Sequence, residues 1–242
     1  MDDQQRKQLD EQGYLIFKSL LAPEEIETIL TRLEVLWAAE GEHAGEENYI
    51  EPGVRRLANL ANKGEIFRRL YAHPRVLEVI EAVMGPEIRA SMVNARDVPP
   101  HTGVRMSFHM DSDKGRVRDE KGYSAATAIW MLDAFTVANG ATAFVPGSHR
   151  LGKSPKQVLA DLNASHAEEI VIEGQPGDVL VFNGHCWHAG RPNETDGHRR
   201  AVLVHYLRAD VPRPEKRRQH LDPDQAAALS PRERELLGLD DE

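Results

Sequence analysis

Residues 176–207, PGDVLVFNGHCWHAGRPNETDGHRRAVLVHYL, decide how this chain folds. Two apolar runs, DVLVF and RAVLVHYL, are too short for buried helices and are separated by Gly, Pro, Asn and Asp, so they are read as β-strands. Working back toward the N-terminus, RASMVNARDV, GVRMSFHM, AATAIWMLDAF, ATAFVP and EEIVI continue the same pattern between residues 89 and 172. The front of the chain differs. Ile26, Ile29, Leu30, Leu33 and Leu36 recur at helical spacing in residues 23–40, with acids in the first turn. A second helical region spans about residues 64–84 and is interrupted at Pro74. The expectation is a mainly β fold with flanking helices, built on a double-stranded β-helix (jelly-roll, cupin-type) core whose two sheets form a barrel. Residues 1–242 are read as one domain: a helical front to about 87, a core over about 88–210, and a charged helical tail at 211–242, peripheral to any site.

The chemistry concentrates in two places. In GVRMSFHMD, Val104, Met106, Phe108 and Met110 alternate with Arg105, Ser107, His109 and Asp111, so a strand sets His109 and Asp111 on one polar face. A second His-x-Asp, His220-Leu221-Asp222, has no strand pattern around it and is read as accidental. The opening stretch supplies two more histidines, His185 and His188, and the neighbouring arginines Arg199 and Arg200. Two imidazoles and one carboxylate on one face of a metal are the ligand set of non-haem ferrous oxygenases, with positions left for co-substrate and O₂. An arginine beyond the last histidine suits a fork onto the far carboxylate of a dicarboxylic co-substrate.

These segments, in order, resemble the phytanoyl-CoA dioxygenase family of iron- and 2-oxoglutarate-dependent oxygenases. The resemblance runs from GYLIFKSLLAPEEIETILTRL through HMD, IWMLDAFTVANGATAFVPGSHR and PGDVLVFNGHCWHAGRPN to HRRAVLVHY, about residues 10–210. It implies Fe(II) held by His109, Asp111 and His188. His188 is preferred to His185 because Arg199 then stands at the family's spacing. Arg199 would pair with 2-oxoglutarate, and Arg200 remains an alternative because the strand beyond is apolar on both faces. Lys63 is either a co-substrate contact or a solvated lysine, and Trp130 either a co-substrate neighbour or plain core. Gly190 stands where the family often carries a hydroxyl, leaving one expected contact unassigned. The implied reaction consumes 2-oxoglutarate and O₂, releases succinate and CO₂, and hydroxylates an unactivated C–H of a small molecule. Desaturation, cyclisation or epimerisation, or a non-catalytic cupin-type binding protein, are the alternatives. Asp111 argues against halogenation, which needs a small residue there.

Polar stretches at about 43–62, 112–123 and 149–167 are read as loops over the barrel mouth. Arg55 and Arg56 fall in the first, Lys114, Arg116 and Arg118 in the second, and Arg105 shares the strand face of His109. They indicate an anionic substrate, unless they are solvated charges offset by Asp113, Asp119 and Glu120; Asp113 itself is read as second to the ligand set. A net charge of −9 argues against a nucleic-acid partner. No apolar run suggests a membrane span. The polar start MDDQQRKQLDEQ and the lone Cys186 indicate a cytoplasmic protein, and no base beside Cys186 suggests a thiol nucleophile.

Overall fold

The computed structural model describes residues 1–47, 51–112, 117–212 and 221–239. The first helix, α1 (Asp3–Gln12), is capped by the Asp2 side chain and ended by Gly13 at φ 84°. This helix has no apolar stripe, so periodicity does not reveal it. After β1 (Tyr14–Phe17), α2 (Pro23–Glu40) begins at Pro23 and buries Ile26, Ile29, Leu33, Leu36 and Trp37. The next helical region is split as expected, into α3 (Glu65–Tyr71) and α4 (Pro74–Met84). Pro74 has no N–H to continue the preceding helix.

The remaining strands are β2 (Arg55–Leu57), β3 (Ile88–Val98), β4 (Ala125–Met131), β5 (Ala143–Val145), β6 (Ile170–Val171), β7 (Val179–Asn183), β8 (Trp187–Ala189) and β9 (Arg199–Arg208). They form an antiparallel six-stranded sheet, β1-β7-β4-β9-β3-β2, and a three-stranded sheet, β6-β5-β8. Among the described residues the two sheets are not hydrogen-bonded into a closed barrel.

The large sheet is buried on both faces. Ala126, Ala128 and Trp130 of β4, Val179 and Val181 of β7, and Val202, Val204 and Tyr206 of β9 join the helices in one cluster. The alternate residues Ile129, Met131, Leu180, Phe182 and Ala201 pack toward the small sheet with Phe144 of β5. Burial of both faces removes the polar alternation that would mark an inner side in the sequence. The tail helices α5 (Pro223–Ala227) and α6 (Pro231–Leu237) pack on the helix side of the large sheet. Leu236 and Leu237 are buried in the helix-side cluster, where α6 packs on β3.

The strand expected over residues 103–110 is reduced to a single bridge between His109 and His188. Met106 N–H bonds to Gly190 and His109 exchanges two bonds with His188, but Phe108 N–H turns to the carbonyl of Leu162. Partners that alternate between β8 and a loop cannot build a continuous ladder.

Candidate active site

The bridge places His109 and His188 directly opposite each other, so their side chains project from one face. Their ring centroids lie 4.3 Å apart. Each ring is oriented from behind by a carbonyl two residues earlier: His109 Nδ1 lies 3.0 Å from Ser107 O, and His188 Nδ1 lies 3.0 Å from Cys186 O. Because a carbonyl only accepts, Nδ1 carries the proton and each Nε2 keeps its lone pair for a metal.

Asp111 completes the group, anchored by its N–H to Gly184 O and by its own carbonyl to His205 Nε2 at 3.0 Å. Its Oδ1 stands 3.5 Å from His188 Nε2 and 4.0 Å from His109 Nε2. One ligand atom from each of the three residues falls within 4.8 Å of the others. Adjacent ligands about 2.1 Å from a metal are roughly 3 Å apart, so small side-chain rotations close the set. The other oxygen, Oδ2, accepts a 2.6 Å hydrogen bond from Thr127 Oγ1 of β4, leaving Oδ1 to face the cation.

The electrostatics suit a cation. Burial alone would raise the Asp111 pKa, but the charge and hydrogen bond of His188 and the charges of His205 and His109 hold it well below the usual range. Burial, reinforced by His188, pushes His109 down to about 4, keeping it neutral. Burial also opposes charge on His188, yet the Asp111 carboxylate outweighs it and raises that pKa. A proton there stands where a metal would, and metal binding releases it.

These residues line a cavity of about 160 Å³ together with Arg199. Arg199 is 4% exposed; its Nε donates to Asn139 O at 2.9 Å and its guanidinium lies over the Phe135 ring. Its Nη2 is buried without a hydrogen-bond partner. Burial, then the neighbouring Arg96, press its pKa well below the ordinary value, opposed by Glu51 and Asp97. A buried guanidinium with a spare donor and no carboxylate is what an incoming carboxylate requires. The donor set and this orphaned group fit iron and 2-oxoglutarate respectively.

The model of the Phytanoyl-CoA dioxygenase (PhyH) family matches residues 9–201. The chain belongs to that family. Its class is therefore that of the non-haem iron, 2-oxoglutarate-dependent dioxygenases. "Dioxygenase af480" of Aspergillus fumigatus is 27% identical over 249 residues, covering 99% of this chain and 77% of the relative. "Ectoine dioxygenase" of Bordetella parapertussis is 24% identical, covering 80% and 71%. Two solved structures share the fold, a jelly-roll core. HygX from Streptomyces hygroscopicus, with nickel and 2-oxoglutarate bound, gives a TM-score of 0.70 at 19% identity over 88% of this chain and 89% of that one. EctD from S. alaskensis with bound Fe gives 0.70 at 21% identity over 86% and 76%.

The other residues singled out in the sequence are placed less uniformly. Arg200 points away from the cavity and pairs with Asp133, Nε to Oδ2 at 2.8 Å. His185 is turned toward Ser124, whose N–H lies 3.0 Å from Nε2, and is absent from the cavity wall. Lys63 also lies off that wall, its Nζ 2.6 Å from Glu40. Trp130 faces the helices, edge-on to His73. Arg55 is engaged by Asp97 and Glu34 and stacks on Trp37; Arg105 is engaged by Glu169. Only Arg56 of the three expected substrate arginines reaches the cavity, bound to Glu51. Arg118 stacks on Tyr123, and Asp119 and Glu120 lie in the same surface loop. Asp113, Lys114, Arg116 and His220 lie outside the described residues. Cys186 is buried, and burial pushes its thiol far up, which removes it as a nucleophile.

Sequence reasoning missed Thr127, Glu51 and Arg96, since none sits in a recognisable motif. Thr127→Val, nearly isosteric, is expected to weaken Fe(II) binding by about 10–100-fold, the usual cost of losing an outer partner of a metal ligand. Metal titration of the apoprotein checks this; unchanged affinity would reduce Thr127 to packing.

Proposed function

We propose that the chain is one catalytic domain that hydroxylates an unactivated C–H of a small-molecule metabolite. In this reading R–H, 2-oxoglutarate and O₂ give R–OH, succinate and CO₂. The observation that carries it is the convergence of His109, Asp111 and His188 in one cavity with the unpartnered Nη2 of Arg199. The single-domain reading is supported by a helix-side cluster that draws residues from the front, the sheet and the tail.

His109, Asp111 and His188 would hold Fe(II), which with 2-oxoglutarate and O₂ supplies the oxidising power. The protein's own residues do the rest. Arg199 anchors the far carboxylate of the co-substrate and so aims its oxo-acid end at the metal face. Thr127, Ser107 and Cys186 fix the three ligands through the bonds described above. Met92, Met106, Ile129, Phe135, Phe182 and Leu203 line an apolar space that excludes water from the reacting centre. A cavity of about 160 Å³ is small for a metabolite site, so the substrate inserts its reacting carbon and keeps its remainder at the mouth. An anionic substrate would draw on Arg56, which alone of the three arginines lines the cavity, in competition with its partner Glu51. Arg55 and Arg105 are paired with Asp97 and Glu169 off the cavity wall. No helix among the described residues is long and apolar enough to cross a membrane. The lone, buried Cys186 supports placement in the cytoplasm.

The test is succinate formation from 2-oxoglutarate by protein reconstituted with Fe(II) and ascorbate, with and without candidate substrates. Substrate-stimulated succinate and a product one oxygen heavier are expected. No succinate under any condition overturns the catalytic reading, whereas a product without added oxygen overturns hydroxylation in favour of desaturation, cyclisation or epimerisation.

A further inference from the structure

Gly190 lies on the cavity wall two residues beyond His188. Its φ is not positive, so backbone conformation does not call for glycine. Space does. A Cβ at this position would stand 3.1 Å from Met106 Sδ and 3.3 Å from Arg96 Nη2. The Arg96 guanidinium therefore borders the space into which a side chain at 190 would extend.

Arg96 comes from the opposite sheet. On β3 it pairs with Ala201, while Val98 pairs with Arg199, which makes Arg96 and Arg199 diagonal neighbours on the cavity face. Their proximity is felt: Arg96 is the largest neighbouring charge acting against a proton on Arg199. Two guanidiniums side by side in a buried wall are unfavourable unless an anion joins them.

The carboxylates nearby do not meet that need. Glu51 serves two arginines, accepting from Arg56 Nε at 2.8 Å and Nη2 at 2.7 Å, and from Arg96 Nε at 3.2 Å. Although burial opposes ionisation, the Arg56 hydrogen bond and the charges of Arg96 and Arg56 lower the Glu51 pKa to about 2. Asp97 faces this group from the other side of β3, but Arg55 and His198 occupy its oxygens. Arg56 and Arg96 thus share the carboxylate of Glu51, and Arg199, whose Nη2 has no partner, adds a third guanidinium to the same cavity lining. This part of the cavity lining keeps an excess of positive charge.

We propose that Arg96 is a second co-substrate-positioning residue, sharing with Arg199 the far carboxylate of 2-oxoglutarate in the space that Gly190 leaves open. This rests on 2-oxoglutarate being the co-substrate. Glu51 holds the Nε edge of Arg96, so the Nη edge is presented to the anion. A paired anchor also makes the site selective for a dicarboxylic 2-oxo acid, because a monocarboxylic one leaves two buried guanidiniums uncompensated.

The test compares 2-oxoglutarate with 2-oxopentanoate, which keeps the chelating end and chain length but lacks the far carboxylate. Binding to the Mn(II)-loaded protein is measured by calorimetry, independent of turnover. Wild type is expected to bind 2-oxoglutarate much more tightly. Arg96→Gln should weaken 2-oxoglutarate by about ten- to hundred-fold and leave 2-oxopentanoate within about two-fold. In Arg96→Gln, Gly190→Ser should restore part of the lost affinity by returning a donor to the vacated space. If Arg96→Gln does not fold, Arg96→Lys keeps the charge opposite Glu51 but loses the planar fork, and should again weaken 2-oxoglutarate alone. Equal weakening of both acids makes Arg96 merely structural and overturns the proposal, as does no weakening. Wild-type protein that binds neither acid, or both equally, overturns the co-substrate reading together with it.

Discussion

Asp111→Ala abolishes turnover and Fe(II) binding while leaving the protein folded; this is the largest effect expected from any single substitution. The carboxylate is the only anionic donor in the cluster of His109, Asp111 and His188. Without it, two neutral imidazoles must hold a dication in a partly buried site, and the charge that balances the metal is gone. The loss should exceed the roughly 10–100-fold that removal of an outer partner costs. His109→Ala and His188→Ala should behave similarly, since each removes one Nε2 aimed at the same point. Metal titration separates this from unfolding, which circular dichroism reports. Full activity in any one of the three variants would take that residue out of the ligand set.

Arg199→Ala has the second largest effect. Its side chain touches no metal ligand, so Fe(II) binding should stay nearly unchanged. What disappears is a charge-assisted fork worth about 1.5–3 kcal/mol, or roughly ten- to hundred-fold in the apparent KM for 2-oxoglutarate. Arg200→Ala is the control. Its guanidinium is spent on Asp133, a partly exposed pair, so its loss should cost at most about 1 kcal/mol of stability and leave KM alone. A KM effect in the Arg200 variant in place of the Arg199 variant would reverse the assignment of the two faces of β9.

Much of the architecture was legible because it depends on local chemistry. The α3–α4 break follows from Pro74, and α2 from the spacing of Ile26, Ile29, Leu33 and Leu36. Short apolar runs punctuated by Gly, Pro and Asn marked β3, β4, β7 and β9. The pairing of His109 with Asp111 was also visible, although the segment carrying them makes one bridge and not the expected strand. The α1 helix was missed, because its stability comes from capping and its few buried contacts leave no apolar stripe.

The choice between Arg199 and Arg200 needed the fold. A strand covered by helices on one side and a second sheet on the other is apolar on both faces, so alternation carries no sign of which side is the cavity. Register decides it: Arg199, Ala201, Leu203 and His205 face inward, and Arg200 meets Asp133. The same limit applied to Trp130, which alternation sets among the helices while Thr127 and Ile129 reach the cavity. For Arg55, Lys63 and Arg105 the deciding fact was a partner far away in sequence, namely Asp97, Glu40 and Glu169. A charge is available to a ligand only when nothing else in the fold has claimed it, and that is a property of tertiary contacts. The sequence alone determined the ligand types, their order and the secondary elements that carry them, since these rest on residue identity and short spacing. Only the tertiary structure decided which groups share one cavity and which of its charges remain unpaired, because both depend on long-range register and burial.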